Sequence, residues 1–282
     1  MNATLVSTWT AARRALENAG VDSPVMDARL LVEAGAKVQR IDILTDPHRL
    51  LHEAQIKAID VLLQRRIARE PISHILGRKA FWTFDIAVTP DVLTPRPETE
   101  ILVDVTLEVL ALDQPARILD LGVGSGAILC AALAERPLAH GVGIDASSEA
   151  LAVAQGNAAA LGLETRLELH HGDWGRGLPG GYDLVLSNPP YIPSADIEGL
   201  EPEVAKFEPR LALDGGPDGL DAYRVIVADL PRLLRAGGAY ALEVGIGQAE
   251  AVADLARAAG LTVEQVRADP AGTPRVVWGR RA

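Results

Sequence analysis

Residues 117–134 read RILDLGVGSGAILCAALA, an apolar run of strand type, a turn with three glycines and an apolar segment of helix type. A strand that turns on glycines straight into a helix is the opening unit of an open α/β sheet. Gly122, Gly124 and Gly126 let the turn close tightly and let a ligand approach the backbone without interference from a Cβ atom. Apolar β-type runs recur at 141–144, 166–169, 183–187, 239–244 and 262–266, with 275–278 closing the chain, and helical segments fall between most of them. This alternation predicts a mostly parallel sheet with helices on both faces. Only RADPAGTP separates the last two runs. That is too short for a crossover helix of about a dozen residues, so these two strands must form an antiparallel hairpin at the sheet edge.

Upstream of this block the pattern changes. SPVMDARLLVEAG (23–35) has Ser23 placed as an N-cap, Pro24 at the first helical position and a stop at Gly35. LLHEAQIKAIDVLLQRRIARE (50–70) carries Leu51, Ile56, Ile59, Leu62, Leu63 and Ile67 mostly three or four residues apart, one stripe of an amphipathic helix. A small helical bundle is expected over 1–72. In PISHILGRKAFWTFDIAVTPDVLTPRPETE (71–100) the aromatics Phe81, Trp82 and Phe84 cluster, prolines punctuate both ends and short β-type runs flank Gly77. A hairpin linker over 73–96 and a larger domain over 97–282 complete the expected layout. No internal repeat or low-complexity tract interrupts it.

Composition limits the function. Of 282 residues, 48% are apolar and 23% charged, the balance of a chain that folds around a core. No apolar stretch approaches the ~20 residues of a membrane span. The N-terminus has no basic leader followed by an apolar block, so a cytoplasmic protein is expected. The single cysteine, Cys130, excludes an internal disulfide, and its apolar setting reads as a core thiol. The six histidines show no chelating spacing, and no metal is expected. With 27 basic against 38 acidic residues the net charge is −11, which counts against direct nucleic-acid binding through phosphates.

The glycine turn GVGSGA also fits a dinucleotide loop, so a nicotinamide cofactor and a dehydrogenase are one alternative. Asp120, two residues before the first glycine, would repel a pyrophosphate. It would attract a sulfonium or ammonium group, and S-adenosylmethionine has both. Asp145, at the end of the next strand, either caps the helix starting near Ser148 or accepts hydrogen bonds from both hydroxyls of a ribose; its coupling to the glycine turn favours the ribose. Asp173 and Trp174 follow the third strand, where an acid can hold an adenine amino group and an indole can pack on the ring, or the pair forms only a polar turn. The fourth strand ends in SNPPYIP. Asn188, Pro189, Pro190 and Tyr191 there suit a planar nitrogen whose lone pair is delocalised: the Asn188 oxygen and the Pro189 carbonyl can accept its two N–H bonds, and Tyr191 can stack on the planar group. Holding such a nitrogen in line is the catalytic task, and no nucleophile or metal is needed for it.

The ordered set DLGVGSGAI, GID, GDW and SNPPYI resembles class I methyltransferases that modify planar nitrogens. Together with REPISHILGRKAFW, LTPRPETE, FEPRLALDGGPDGL and LEVG it resembles, over essentially the whole chain, the release factor glutamine methyltransferase family, PrmC or HemK. The resemblance implies a Rossmann-like catalytic domain behind a helical domain that recognises substrate. It implies methylation by S-adenosylmethionine of the glutamine in the Gly-Gly-Gln loop of class 1 peptide chain release factors. It implies that Gly122, Val123, Gly124, Ser125, Gly126, Asp145, Trp174 and Asn188 contact the cofactor, in a site that the reading above extends to Asp120 and Asp173, and that Asn188 to Tyr191 hold the glutamine. Arg96 and Glu98 fall in the family's segment near the cofactor, and GGPDG falls near the substrate entrance. A ribosomal-protein glutamine methyltransferase, a DNA or RNA amine methyltransferase and a binding-only regulator are the remaining alternatives.

Overall fold

The computed structural model describes residues 3–282, which divide into two units. One gathers the chain up to Gly77 together with Glu201–Phe207; the other comprises Arg78–Leu200 and Glu208–Ala282.

The first unit is helical, with helices Leu5–Asn18, Pro24–Ala36, Arg40–Thr45, Glu53–Ile67 and Ile72–Leu76. Pro24 opens the second helix as expected, but Ser23 makes no capping bond through its side chain. Nor does that helix stop at Gly35: it runs to Ala36 and is closed by Lys37 in the left-handed conformation at φ 56°. Gly35 serves a different purpose. A Cβ atom there would lie 2.6 Å from Ile59 Cγ1 and 2.7 Å from Ile59 N, so the missing side chain is what lets helices Pro24–Ala36 and Glu53–Ile67 touch. Leu51 precedes the helix it was expected to join, yet it is buried with Leu5 and Ile59. The Arg66 guanidinium, 7% exposed, donates to Asp27 at 2.7 Å and to Glu203 at 2.8 Å, and Arg69 donates to Glu203 at 2.6 Å. Charges held this far from water persist only when paired and hydrogen-bonded. Glu203, on the short helix Pro202–Phe207, therefore belongs structurally with residues far from it in sequence.

The second unit opens with strands β1 (Arg78–Phe81) and β2 (Phe84–Ala87), an antiparallel hairpin whose turn places Trp82 at φ 54°. The segment before Gly77 is helix Ile72–Leu76, not a strand; Gly77, at φ 69°, closes it from the left-handed region that a Cβ would strain. The main sheet contains β3 (Ala116–Leu121), β4 (Ala139–Asp145), β5 (Leu167–His171), β6 (Tyr182–Ser187), β7 (Leu234–Glu243), β8 (Gln265–Ala268) and β9 (Pro274–Arg280). Their order is β5-β4-β3-β6-β7-β9-β8, with β3 to β7 parallel and the last two antiparallel. The short final connection thus gives the expected hairpin, with β9 inside and β8 at the edge. β8 begins at Gln265, three residues later than the apolar run suggested, although the Thr262 and Glu264 N–H groups already donate to the Arg280 and Trp278 carbonyls of β9.

Alternation along the strands fills two layers. Ile118, Leu184 and Leu186 pack with helices Glu100–Val109 and Ala127–Glu135, whereas Leu119, Val185 and Leu242 pack with helices Asp221–Leu233 and Ala249–Ala258. Successive side chains on a strand point to opposite faces, so near-continuous apolar strands are what a sheet covered on both sides requires. The order reverses at β3, and in an open α/β sheet the crevice beyond the strand ends at such a reversal is where ligands sit. No helix among the described residues is long and apolar enough to cross a membrane.

One polar side chain fastens the hairpin to this sheet. Asn157, 4% exposed on helix Ser148–Ala160, accepts from the Ala87 N–H at 2.8 Å and donates to the Ala87 carbonyl at 3.0 Å and the Ser125 carbonyl at 2.8 Å. Replacing it with alanine leaves the buried Ser125 carbonyl and the Ala87 N–H and carbonyl without their side-chain partner, at roughly 1–3 kcal/mol for a buried group. Asn157→Ala is expected to lower the unfolding free energy by about 2–4 kcal/mol; urea titration within 0.5 kcal/mol of the parent would refute the clamp.

Candidate active site

Every parallel strand of the main sheet points its C-terminal end toward one edge, and the loops leaving that edge enclose a cavity of about 640 Å³. Gly122, Val123, Gly124 and Ser125 line it, with Asp145, Asp173, Trp174, Asn188 and Pro190. Four loops that are far apart in sequence are thereby brought to one place.

The glycine turn explains its own composition. Gly122, Gly124 and Gly126 have φ of 76°, 54° and 79°, conformations that residues with a Cβ rarely adopt. The Gly122 and Val123 N–H groups both donate to the Ile144 carbonyl at 2.9 Å, and the Gly124 N–H donates to Asp145 Oδ2 at 2.8 Å. Asp145 Oδ1 accepts from the Ser147 N–H at 2.9 Å. Asp145 is therefore not the cap of the following helix; Ser147 is, its hydroxyl accepting from the Ala150 N–H at 3.0 Å. The carboxylate is fixed in place by backbone donors and still has lone pairs free, since each oxygen offers two.

Asp120, Gly126, Pro189 and Tyr191 do not line the cavity. Asp120 is fully buried, with neither carboxyl oxygen hydrogen-bonded within the protein. Its burial, and then the nearby Asp145 charge, push its carboxyl well above the usual carboxylate range. Gly126 instead caps helix Ala127–Glu135, where a Cβ would crowd Ala154. Tyr191 packs among the residues of the layer holding Tyr223 and Leu242, and burial above all, with Glu243 next, raises its phenol to about 12. Burial likewise raises the Cys130 thiol to about 12, the state of an inert core cysteine.

Asn188 follows β6, whose last residue, Ser187, donates from its hydroxyl to the Leu121 carbonyl at 2.6 Å and so ties the ends of β6 and β3 together. The chain after Asn188 is clamped by 213–216. Ile192 N–H donates to the Leu213 carbonyl at 3.0 Å, Gly215 N–H returns to the Ile192 carbonyl at 2.8 Å, and the Ser194 hydroxyl donates to Asp214 at 2.5 Å. A Cβ on Gly215 would lie 2.9 Å from the Pro190 carbonyl oxygen, so the first glycine of GGPDG is what allows the clamp to close. Gln248 completes it by donating to the Tyr191 carbonyl at 2.9 Å.

Several cavity residues gave no chemical signal in the sequence. Pro90 to Leu93, Pro95 and Thr99 come from the linker side, and Pro209, Leu211, Ala212 and Val225 supply an apolar stretch of wall. Their nearest signals were PRPETE and FEPR. Arg96 and Glu208 join those two segments: the guanidinium donates to Glu208 at 2.7 Å, and Glu208 also accepts from the Thr94 N–H at 3.4 Å. Arg96 and Glu98 do not themselves line the cavity.

One ionisable group behind the wall is unusual. Glu243, the last residue of β7, is 2% exposed with Oε2 unpartnered. Burial lifts its carboxyl to about 7, against the opposing effect of a hydrogen bond from Thr99. Between the ordinary value and 7 the folded protein keeps a proton that the unfolded chain has lost, so this group's contribution to stability falls as pH rises through that window. Glu243→Gln removes the ionisation. Its stability relative to the parent is expected to rise from pH 5 to pH 8, by up to roughly 3 kcal/mol. Unfolding curves at both pH values measure it, and a difference that does not change with pH would exclude this role for Glu243.

Comparison with known proteins adds the following. The PrmC N-terminal domain family matches residues 8–77, and the methyltransferase small domain family matches residues 99–199. The release factor glutamine methyltransferase of Caulobacter vibrioides is 55% identical over 280 residues, covering 99% of this chain and 97% of that protein. That of Rhodospirillum rubrum is 48% identical, covering 94% and 82%. Among solved structures, the hMettl16 catalytic domain in complex with an RNA hairpin superposes with a TM-score of 0.59 at 15% identity, covering 78% of this chain and 82% of that one. A methyltransferase from Pyrococcus furiosus superposes with a TM-score of 0.53 at 16% identity, covering 80% and 98%. At those identities the structural likeness speaks for the fold alone.

Proposed function

The chain belongs to the release factor glutamine methyltransferase family, and from that membership we propose that it methylates the side-chain amide nitrogen of the glutamine in the Gly-Gly-Gln motif of class 1 peptide chain release factors. The observation that carries the reading is the meeting of Asn188 and Pro190 with the glycine turn and Asp145 on the wall of one cavity.

The residues present fit S-adenosylmethionine. The glycine turn offers a backbone surface free of side chains, Asp145 is a carboxylate held in register by two backbone donors, and Trp174 gives an aromatic wall beside Asp173. In this proposal Gly122 to Ser125 receive the amino-acid part, Asp145 the ribose hydroxyls, and Asp173 and Trp174 the adenine. Asp120 acts from beneath, where its unpartnered oxygens lie. When bound, S-adenosylmethionine supplies an electrophilic methyl group on a sulfonium.

The chain's own task is to present a poor nucleophile. Amide resonance, the source of a rotation barrier of ~18–20 kcal/mol, draws the nitrogen lone pair into the carbonyl. Asn188 Oδ1, which has no partner in the protein, accepts one N–H of the substrate amide; the second acceptor is the carbonyl of Pro189, a residue whose side chain stays off the cavity wall between Asn188 and Pro190. Consecutive prolines keep that carbonyl from turning away. Tyr191 supports the loop from the layer beneath it, so stacking on the amide, its expected role, passes to Pro190 on the cavity wall. Residues 1–72 are proposed to recognise the body of the factor, 73–96 to link, and 97–282 to carry the chemistry.

The direct test is transfer of labelled methyl from S-adenosylmethionine to purified release factor, beside a factor whose Gly-Gly-Gln glutamine is alanine and beside ribosomal proteins. Label on the intact factor alone is expected; label on a ribosomal protein instead would move the assignment to that substrate. Asn188→Ala is expected to lower kcat by about 100-fold or more while the cofactor Kd changes less, the result of one lost aligning hydrogen bond of ~3 kcal/mol. Asp145→Ala is expected to raise the cofactor Kd by about 10- to 100-fold. An unchanged Kd in calorimetry rules out its ribose role.

A further inference from the structure

Thr99 is a buried hydroxyl at the wrong place for its usual work. It precedes helix Glu100–Val109 in the N-cap position, but its side chain makes no capping bond. It is 3% exposed and lines the cavity. Its oxygen is taken up instead by Asn188, whose Nδ2 donates to Thr99 Oγ1 at 3.3 Å. The Thr99 hydroxyl also favours the charged form of the buried Glu243 carboxyl. Glu243 is brought there by the sheet: β6 and β7 pair with Ser187 opposite Leu242, so Asn188 and Glu243 are the next residues of neighbouring parallel strands.

Donor and acceptor accounting gives this chain of groups a direction. A charged carboxylate only accepts, so an ionised Glu243 draws the Thr99 proton toward itself and leaves the Thr99 lone pairs to the Asn188 NH2 group, the contact seen at 3.3 Å. An amide turned the other way would set its oxygen against the Thr99 oxygen, a buried pair of acceptors with no proton between them. The Asn188 oxygen is left without a protein partner as a result.

We propose that Thr99 is a positioning residue for Asn188: its hydroxyl oxygen takes the Asn188 amide donor and reserves the amide oxygen for the substrate nitrogen. The proposal rests on the glutamine-methylating reading above, but the orientation it describes exists in the free protein and can be measured without substrate.

The experiment compares the parent with Thr99→Val, which keeps the shape and loses the hydroxyl, and Thr99→Ser, which keeps the hydroxyl, at pH 8 where Glu243 is charged. First, the Asn188 side-chain amide pair is identified in nitrogen–proton spectra by its loss in Asn188→Ala. It is expected to exchange slowly with solvent in the parent and in Thr99→Ser, and at least 10-fold faster in Thr99→Val. Second, methyl transfer to release factor is expected to fall at least 10-fold in kcat for Thr99→Val, with KM for the factor and Kd for S-adenosylmethionine within about 3-fold. Thr99→Ser is expected to recover most of the loss. Equal exchange in the parent and Thr99→Val overturns the proposal, as does a serine variant no more active than the valine one. Should the parent methylate no release factor at all, the substrate reading fails, and the exchange comparison still decides the role of Thr99.

Discussion

The hydrogen bond from the Gly124 N–H to the Asp145 carboxylate joins the ends of the two central strands, and the rest of the site is arranged around it. It requires Gly124 in the left-handed region, which sets the path of the turn, and it requires β3 and β4 to run parallel in the register that places Gly143 beside Asp120. Once it forms, the backbone of the turn faces the cavity and the carboxylate is held at its wall. The same turn is fastened from outside by Asn157 through the Ser125 carbonyl, so helix Ser148–Ala160, the hairpin strand β2 and the glycine turn share one polar anchor. Position here comes from backbone groups that a fold must satisfy anyway.

Negative charge is handled in three ways around the cavity. Asp145, at the wall of the pocket, is met by two N–H groups. Asp120 lies wholly beneath the turn without such support, and burial drives it toward its neutral form. Glu243 is intermediate, with a threonine hydroxyl on one side and an unmet oxygen on the other.

The alternating part of the chain was legible because each strand is buried on both faces and each turn needs glycine or proline. The runs from Arg117 to Trp278 therefore announced the sheet, and the eight-residue final connection announced its antiparallel end. Asn188, Asp145, Asp173 and Trp174 were found because each ends a strand. The misreadings share a cause: glycine marks both a chain reversal and a close approach, and sequence does not distinguish them. Gly77 is the first kind, closing a helix, whereas Gly35 is the second, pressed against Ile59. Thr99 was missed for a similar reason. A threonine before a helix looks like a cap, and only the fold shows that its hydroxyl meets the Asn188 amide instead.

Glu203 gives the protein's architecture an uneven boundary. The chain leaves the sheet-bearing unit at Leu200, only a short way after the NPPY loop, contributes Glu203 to the buried charge cluster of Arg66, Arg69 and Asp27, and returns at Glu208. The helical unit is thus not a bead strung in front of an enzyme. Part of it is encoded within the enzyme, between the NPPY motif and the segment that walls the cavity. An exchange of the N-terminal helices alone would strand Glu203 without the two guanidinium groups it meets, so the two parts of this chain are not interchangeable modules.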